Sequence, residues 1–120
     1  MVISTLRIFT TPQSRPEILR TLAAQLGPVR VQPGCIRCDL YQDTGNREAI
    51  TFVEEWESQA DLDLRLRSED YRAVLAAIDL SQEPPVIHFD TVTRCSGLEI
   101  VVSARGSKAD TPREKQGERI

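Results

Sequence analysis

Histidine is scarce in this chain, since His88 is the only one among 120 residues. A single histidine cannot form the H-E-x-x-H motif of zinc proteases. The sequence also contains no glycine-rich phosphate loop and no G-x-S-x-G nucleophile motif. The sequence therefore does not indicate a nucleotide-binding protein with a phosphate loop, a serine hydrolase or a zinc protease.

The chain also lacks long apolar runs and an excess of positive charge. No apolar segment approaches the ~18–20 residues that a membrane-spanning helix needs. The formal net charge is −3 at pH 7, whereas nucleic-acid-binding domains usually carry a basic patch. The first residues, MVISTLRIFTT, have neither a basic segment nor a small-residue cleavage site, so we expect no signal peptide. We expect a cytoplasmic protein without membrane or nucleic-acid partners.

The three cysteines form an odd set, which suits a reducing compartment better than a disulfide framework. Cys35 and Cys38 have the C-x-x-C spacing of some zinc and redox sites. No second such pair follows, and in a strand we expect residues three apart to point to opposite faces. We interpret both as small apolar side chains, with a functional thiol as the alternative. We expect no metal and no cofactor.

The length and the 40% of apolar residues fit one small domain, which we place at residues 1–104. Residues 105–120 are polar, charged and aperiodic, so we expect a disordered tail there. Hydrophobic periodicity and turn residues define the elements of the domain. We predict strands at residues 2–9, 35–42, 48–56, about 86–93 and 98–102, and helices at 15–26 (capped by Ser14 and ended by Gly27-Pro28), at 59–66 and from 68 onward.

The order of these elements predicts an α+β fold. A β-α-β-β-α-β order is that of the ferredoxin-like fold, in which helices cover one face of a four-stranded antiparallel sheet. No further helix is predicted to cover the other face. A second copy of the chain packing sheet to sheet is the simplest cover, so we expect a homodimer.

The third predicted strand carries an acidic residue among aromatic ones. Alternation places Glu54 on the same face as Phe52 and Trp56, toward the helices. A carboxylate in apolar surroundings must be paired, hydrogen-bonded or protonated. Glu54 is therefore either a proton carrier or the partner of an arginine from the second helix. His88, on the fourth strand, is either a surface or dimer-interface residue or a base in a pocket.

Three segments in this order resemble the antibiotic biosynthesis monooxygenase (ABM) family. They are P-G-C-I-R-C-D-L-Y-Q-D at 33–43, E-E-W-E-S at 54–58 and D-L-D-L-R-L-R-S-E-D-Y at 61–71. In that family a Pro-Gly-Cys strand leads to a Glu-x-Trp strand end and then to a helix. The resemblance implies a dimeric α+β barrel, each subunit of which holds a pocket between sheet and helices.

The resemblance also implies an activity and its residues. Family members include cofactor-independent oxygenases that convert phenols or quinols to quinones. At matching positions Glu54 and Trp56 would line the pocket, with Tyr71 as a third candidate. Arg65 stands where relatives often have a histidine, and Cys38 replaces a frequent aromatic residue. Arginine cannot accept a proton at neutral pH, because its pKa exceeds ~12, but it can stabilise an anion or pair with Glu54.

Two hypotheses follow. The first is a cofactor-independent monooxygenase that oxidises a small aromatic or quinol-like molecule, with Glu54, Trp56, Arg65 and Tyr71 around its pocket. The second is a non-catalytic dimeric module that binds a small apolar ligand. The Glu-x-Trp sequence favours the first hypothesis, and the absent histidine favours the second.

Overall fold

The computed structural model describes residues 1–106, and the predicted tail lies outside them except for its first two residues. The described part of the chain forms four strands and four helices. In chain order these are β1 (Val2–Phe9), α1 (Arg15–Arg30), β2 (Cys35–Gln42), β3 (Ala49–Trp56), α2 (Gln59–Arg67), α3 (Tyr71–Asp79), β4 (Val86–Thr91) and α4 (Leu98–Gly106).

The four strands form one antiparallel sheet in the order β2-β3-β1-β4. The predicted ferredoxin-like α+β fold is therefore confirmed. Because β1 and β3 are the central strands, their residues have neighbours on both sides. Ser4 of β1, for example, lies opposite Glu54 of β3 and opposite Phe89 of β4.

The face of the sheet toward α1, α2 and α3, here called the helix face, carries the hydrophobic core. Burial alternates along β1, as expected for a strand with one covered face. Burial of each large apolar side chain contributes about 1.5–3 kcal/mol. The core comprises Val2, Leu6, Ile8, Ile18, Leu22, Val29, Cys38, Ile50, Phe52, Trp56, Leu62, Tyr71, Val74 and Ala77.

The opposite face, here called the open face, has none of the four described helices against its central part. Its side chains are a mixture of small, apolar and charged residues, most of them half-buried. They include Ile3, Thr5, Arg7 and Phe9 of β1, Arg37, Asp39 and Tyr41 of β2, Thr51, Val53 and Glu55 of β3, and Val86, His88 and Asp90 of β4.

Helix α1 does not end at Gly27-Pro28 as predicted but continues to Arg30, with Pro28 inside it. A proline removes one helical hydrogen bond, yet contacts beyond it hold the chain in place. Val29 is fully buried in the core, and Arg30 Nε donates to the backbone oxygen of Cys38 at 2.9 Å. The predicted cap is also different, because the Ser14 hydroxyl accepts from the Thr11 N–H and caps no helical N–H.

The predicted strand at residues 98–102 is wrong, since these residues begin helix α4. The preference of valine and isoleucine for strands depends on packing against a neighbouring strand, and none of the described strands pairs with residues 98–102. The N–H of Ile100 instead donates to the Gly97 oxygen, which starts a helical turn. All residues of α4 are exposed. None of the described helices is both long enough and apolar enough to cross a membrane.

Candidate functional site

A buried ion pair lies on the helix face at the end of β3. The Glu54 carboxylate accepts from Arg65 of α2, with Nε–Oε1 and Nη2–Oε2 distances of 3.1 and 3.0 Å. The Trp56 indole N–H donates to the same carboxylate, with an Nε1–Oε1 distance of 3.0 Å. The side chains of Arg65 and Glu54 are only 0% and 3% exposed. Three N–H groups therefore hold one carboxylate away from solvent.

The turn between β3 and α2 brings the arginine back over the strand. The Ser58 hydroxyl accepts from the Asp61 N–H at 3.2 Å, which caps the first turn of α2. Leu62 and Arg65 are one helical turn apart and are both buried against the sheet. Thus the cap and the apolar contact of Leu62 fix the direction in which Arg65 extends.

Tyr71, the first residue of α3, covers the arginine. The guanidinium carbon of Arg65 lies 4.9 Å from the centre of the Tyr71 ring, a cation–π arrangement. Ser68 links the two residues, because its hydroxyl donates to the Arg65 oxygen and accepts from the Tyr71 N–H. Burial, with Glu54 nearby, raises the pKa of the Tyr71 hydroxyl. Tyr71 is thus a neutral phenol at neutral pH.

The Glu54 carboxylate uses its hydrogen-bonding capacity within the cluster. A buried charge is tolerated when it is both paired and hydrogen-bonded, and both conditions hold here. The two carboxylate oxygens already accept bonds from Arg65 and Trp56. Little accepting capacity is left for a proton from a substrate. Of the two interpretations of Glu54, pairing with an arginine of the second helix is the one confirmed.

A β-bulge places both thiols of the C-x-x-C pair on the helix face. Cys35 lies opposite Trp56 and Cys38 opposite Glu54, with the shift in register at Ile36. Our expectation that they point to opposite faces is therefore wrong, because the extra residue at the bulge breaks the alternation and puts Cys35 on the same face as Cys38. Burial above all, then Glu54, raises the pKa of Cys38 to about 12, and the same causes raise that of Cys35. Both are free, protonated thiols, which agrees with their interpretation as apolar side chains.

The four residues predicted for the site come together in this cluster. Glu54, Trp56, Arg65 and Tyr71 are exposed by 2%, 1%, 1% and 6% respectively. His88 is not part of it. It is exposed on the open face opposite Thr5, which favours the interpretation as a surface or dimer-interface residue.

Sequence reasoning missed two residues next to the carboxylate. Ser4 of β1 and Cys38 of β2 are the strand partners of Glu54 on either side, and both are buried. The signal for Ser4 was a polar residue on the apolar side of β1, between Val2 and Leu6. For Cys38 the signal was alternation within β2, which puts it on the same face as Leu40, the strand partner of Phe52.

One other possible site does not involve the cluster. A surface depression lined by Pro12, Arg15, Arg47 and Glu48 lies at the opposite end of β3. Within residues 1–106, no group of three or more histidine, cysteine, aspartate or glutamate side chains is arranged to hold a metal ion. The Glu54–Arg65 cluster is therefore the candidate site that we consider.

The sheet order and the helices on one face define a ferredoxin-like α+β protein. Residues 1–77, more than half of the chain, match the family described as antibiotic biosynthesis monooxygenase. The chain therefore belongs to the ABM family. No curated protein has a sequence that matches it significantly.

Solved structures show the same fold at low sequence identity. A crystal structure of an antibiotic biosynthesis monooxygenase has a TM-score of 0.69 at 21% identity, with 78% of this chain and 100% of that one covered. Rv0793 from Mycobacterium tuberculosis has a TM-score of 0.72 at 22% identity, covering 80% and 98%. A candidate antibiotic biosynthesis monooxygenase from Deinococcus radiodurans has a TM-score of 0.74 at 14% identity, covering 81% and 97%.

Proposed function

We propose that this protein is a cofactor-independent monooxygenase that oxidises a small aromatic or quinol-like molecule with dioxygen. One observation carries the proposal: Glu54, Trp56, Arg65 and Tyr71 converge in one buried cluster on the helix face. A fixed charge pair in a site without water stabilises charge that develops during a reaction. Membership of the ABM family supports the same class of reaction.

The proposed reaction balances without an external reductant. A phenol loses its hydroxyl proton, and the electron-rich anion passes electrons to dioxygen. One oxygen atom forms a new bond to the ring, and the other leaves as water. A phenol and dioxygen thus give a quinone and water, with every electron supplied by the organic substrate. The protein contributes an apolar site and a group that stabilises the anion.

A second candidate function is a non-catalytic dimeric module that binds a small apolar ligand. The hydrogen bonds of Glu54 favour it, because Arg65 and Trp56 already occupy both carboxylate oxygens. A base so occupied is a poor proton acceptor. On this alternative the ion pair is structural, and the apolar residues around it contact the ligand.

For either function we propose a homodimer that forms through the open face. The half-buried residues at its centre, such as Thr5 and Thr51, have none of the helices of residues 1–106 against them. A second copy of the sheet would cover them, as expected from the sequence. The cytoplasmic location expected from the sequence stays a prediction.

Oxygen consumption tests the proposed activity. The purified protein is mixed with a panel of hydroquinones and polyphenols in an oxygen-electrode cell, without added metal or flavin. We expect protein-dependent uptake that falls at least roughly tenfold in Glu54→Gln, because the variant no longer carries the charge that holds Arg65 in place.

The matched control is Glu55→Gln, the adjacent glutamate on the open face, which should retain activity. Equal activity of the two variants would show that the cluster takes no part in the reaction. If no substrate gives uptake above its own autoxidation, the binding module becomes the better description, and ligand screening replaces the activity assay.

A further inference from the structure

Arg65 has donor capacity that the cluster does not use. A guanidinium group carries five N–H donors, and this one uses its Nε and Nη2 nitrogens on Glu54. Nη1 is buried and finds no hydrogen-bond acceptor among the described residues. An unpaired buried donor lowers the stability of the fold, so it is rare in native structures and indicates a possible functional role.

The geometry of the pair leaves Nη1 oriented away from the carboxylate. Glu54 occupies the edge of the guanidinium plane that Nε and Nη2 share, and Nη1 belongs to the other side of the group. The ring of Tyr71 lies over the guanidinium at 4.9 Å. An acceptor at Nη1 would therefore be nearer to the positive charge of Arg65 than to the negative charge of Glu54.

We propose that Nη1 of Arg65 binds an anionic oxygen of the ligand, and that the substrate is an acidic phenol bound as its phenolate. The substrate class rests on the proposed oxygenase function, and the anion site stands without it. Because the oxygens of Glu54 are occupied, the substrate loses its proton through its own acidity, as phenols with electron-withdrawing groups do. Glu54 is a positioning residue for Arg65. Tyr71 is the most exposed of the four residues, so its ring marks the side of the cluster nearest to solvent.

The other groups around Arg65 do not change charge near neutral pH. Cys35, Cys38 and Tyr71 all have raised pKa values and stay protonated. Ser4 of β1 is polar and uncharged. Arg30 of α1, which also affects the thiols, is bound to Asp39 at 3.1 Å and half exposed. A change in binding between mildly acidic and neutral pH therefore reports the ionisation of the ligand.

Binding of para-nitrophenol tests the anion site without turnover. Its phenolate has its own visible absorption band, and para-nitroanisole is a neutral molecule of similar shape. Trp56 is the only tryptophan of the chain, so its fluorescence reports directly on the cluster. We expect the phenolate to bind roughly tenfold to a hundredfold more tightly than the neutral probe. The bound phenol should then have a pKa about one to two pH units below that of the free molecule.

Two variants identify the donor. The double variant Glu54→Gln with Arg65→Gln leaves no unpaired buried charge, and we expect it to lose the preference for phenolate. Arg65→Lys keeps the positive charge without the planar donor set, and we expect a reduced preference. Circular dichroism checks that both variants are folded. A preference that persists in the double variant would overturn the proposal.

The assay also separates this inference from the proposed activity. The anion site would be overturned if the two probes bind equally well. It would also be overturned if neither probe quenches Trp56 fluorescence at its solubility limit, even if oxygen is consumed. A clear preference for phenolate without oxygen uptake would support the anion site and count against the oxygenase.

Discussion

Two adjacent glutamates of β3 show how strongly the two faces of the sheet differ. Glu54 faces the helices and pairs with Arg65, whereas Glu55 faces the open side and pairs with Arg37. The N–O distances are almost the same, 3.0 and 2.9 Å. The side chains of the first pair are 0% and 3% exposed, and those of the second 40% and 16%.

This comparison shows that distance alone does not determine the importance of an ion pair. An exposed pair is screened by water and typically contributes about 0–1 kcal/mol. A buried pair need not stabilise the fold relative to apolar residues, but loss of one partner leaves a charge without compensation. Loss of one partner of the Glu54–Arg65 pair should therefore destabilise the fold strongly, whereas loss of one partner of the Arg37–Glu55 pair should have little effect.

Replacement of the two arginines by methionine should give the largest difference between the faces. We expect Arg65→Met to lower the free energy of unfolding by about 3–5 kcal/mol, because Glu54 would remain buried with Trp56 as its main donor. Arg37→Met should lower it by about 0–1 kcal/mol. Urea unfolding followed by Trp56 fluorescence, at one fixed protein concentration, measures both values.

A second substitution tests whether the charge left behind is the cause. In the double variant Glu54→Leu with Arg65→Met no buried charge remains, so most of the lost stability should return. Similar losses for Arg65→Met and Arg37→Met would contradict the distinction drawn between the two faces.

Substitution of Gly34, which precedes β2 near the start of α2, should have an intermediate effect on stability. Its φ angle is +87°, and an added Cβ would overlap the Asp61 carboxylate in the first turn of α2. Gly34→Ala should therefore displace the helix that carries Arg65 and cost about 1–3 kcal/mol. Urea unfolding gives the loss, and the anion-binding assay gives the effect on Arg65.

Gly27→Ala is the matched control, because this glycine lies within α1 and a Cβ there would contact nothing within 4 Å. Alanine is the better helix former, so we expect a gain of about 0.5–1 kcal/mol. A loss at Gly27 equal to that at Gly34 would point to a general intolerance of substitution.

The sequence predicted the fold and the site where local patterns and chain order agreed. Alternation in β1 and β3 placed the core and put Glu54 and Trp56 on one face. The resemblance to the ABM family supplied Arg65 and Tyr71, which lie on different helices and share no local pattern. Their meeting at one carboxylate depends on tertiary packing.

The wrong predictions share a cause, since each involved a local rule that longer-range contacts override. The bulge at Ile36 turned Cys35 to the helix face opposite Trp56, and alternation alone carries no sign of a bulge. Pro28 did not end α1, because buried Val29 lies beyond it. Residues 98–102 are rich in β-branched residues but form a helix, since no described strand pairs with them.

A substitution on the open face should have the smallest effect on the stability of the fold. It should instead weaken the association of two subunits. Thr5 lies on central strand β1 opposite Val53, at the middle of this face. In a two-fold dimer, Thr5→Lys would place two uncompensated positive charges in the interface. We expect folding of each chain to persist and the dimer dissociation constant to rise roughly a hundredfold. Analytical ultracentrifugation over a range of concentrations measures it.

Ala76→Lys adds the same charge on the exposed side of α3 and should leave the dimer intact. If both variants assemble like the unmodified protein, the open face is not the interface, and its half-buried centre needs another explanation. If only Thr5→Lys dissociates while Trp56 fluorescence is unchanged, assembly and the Glu54–Arg65 cluster are separable. The two faces of the sheet would then have separate roles, one for the subunit contact and one for the buried charge pair.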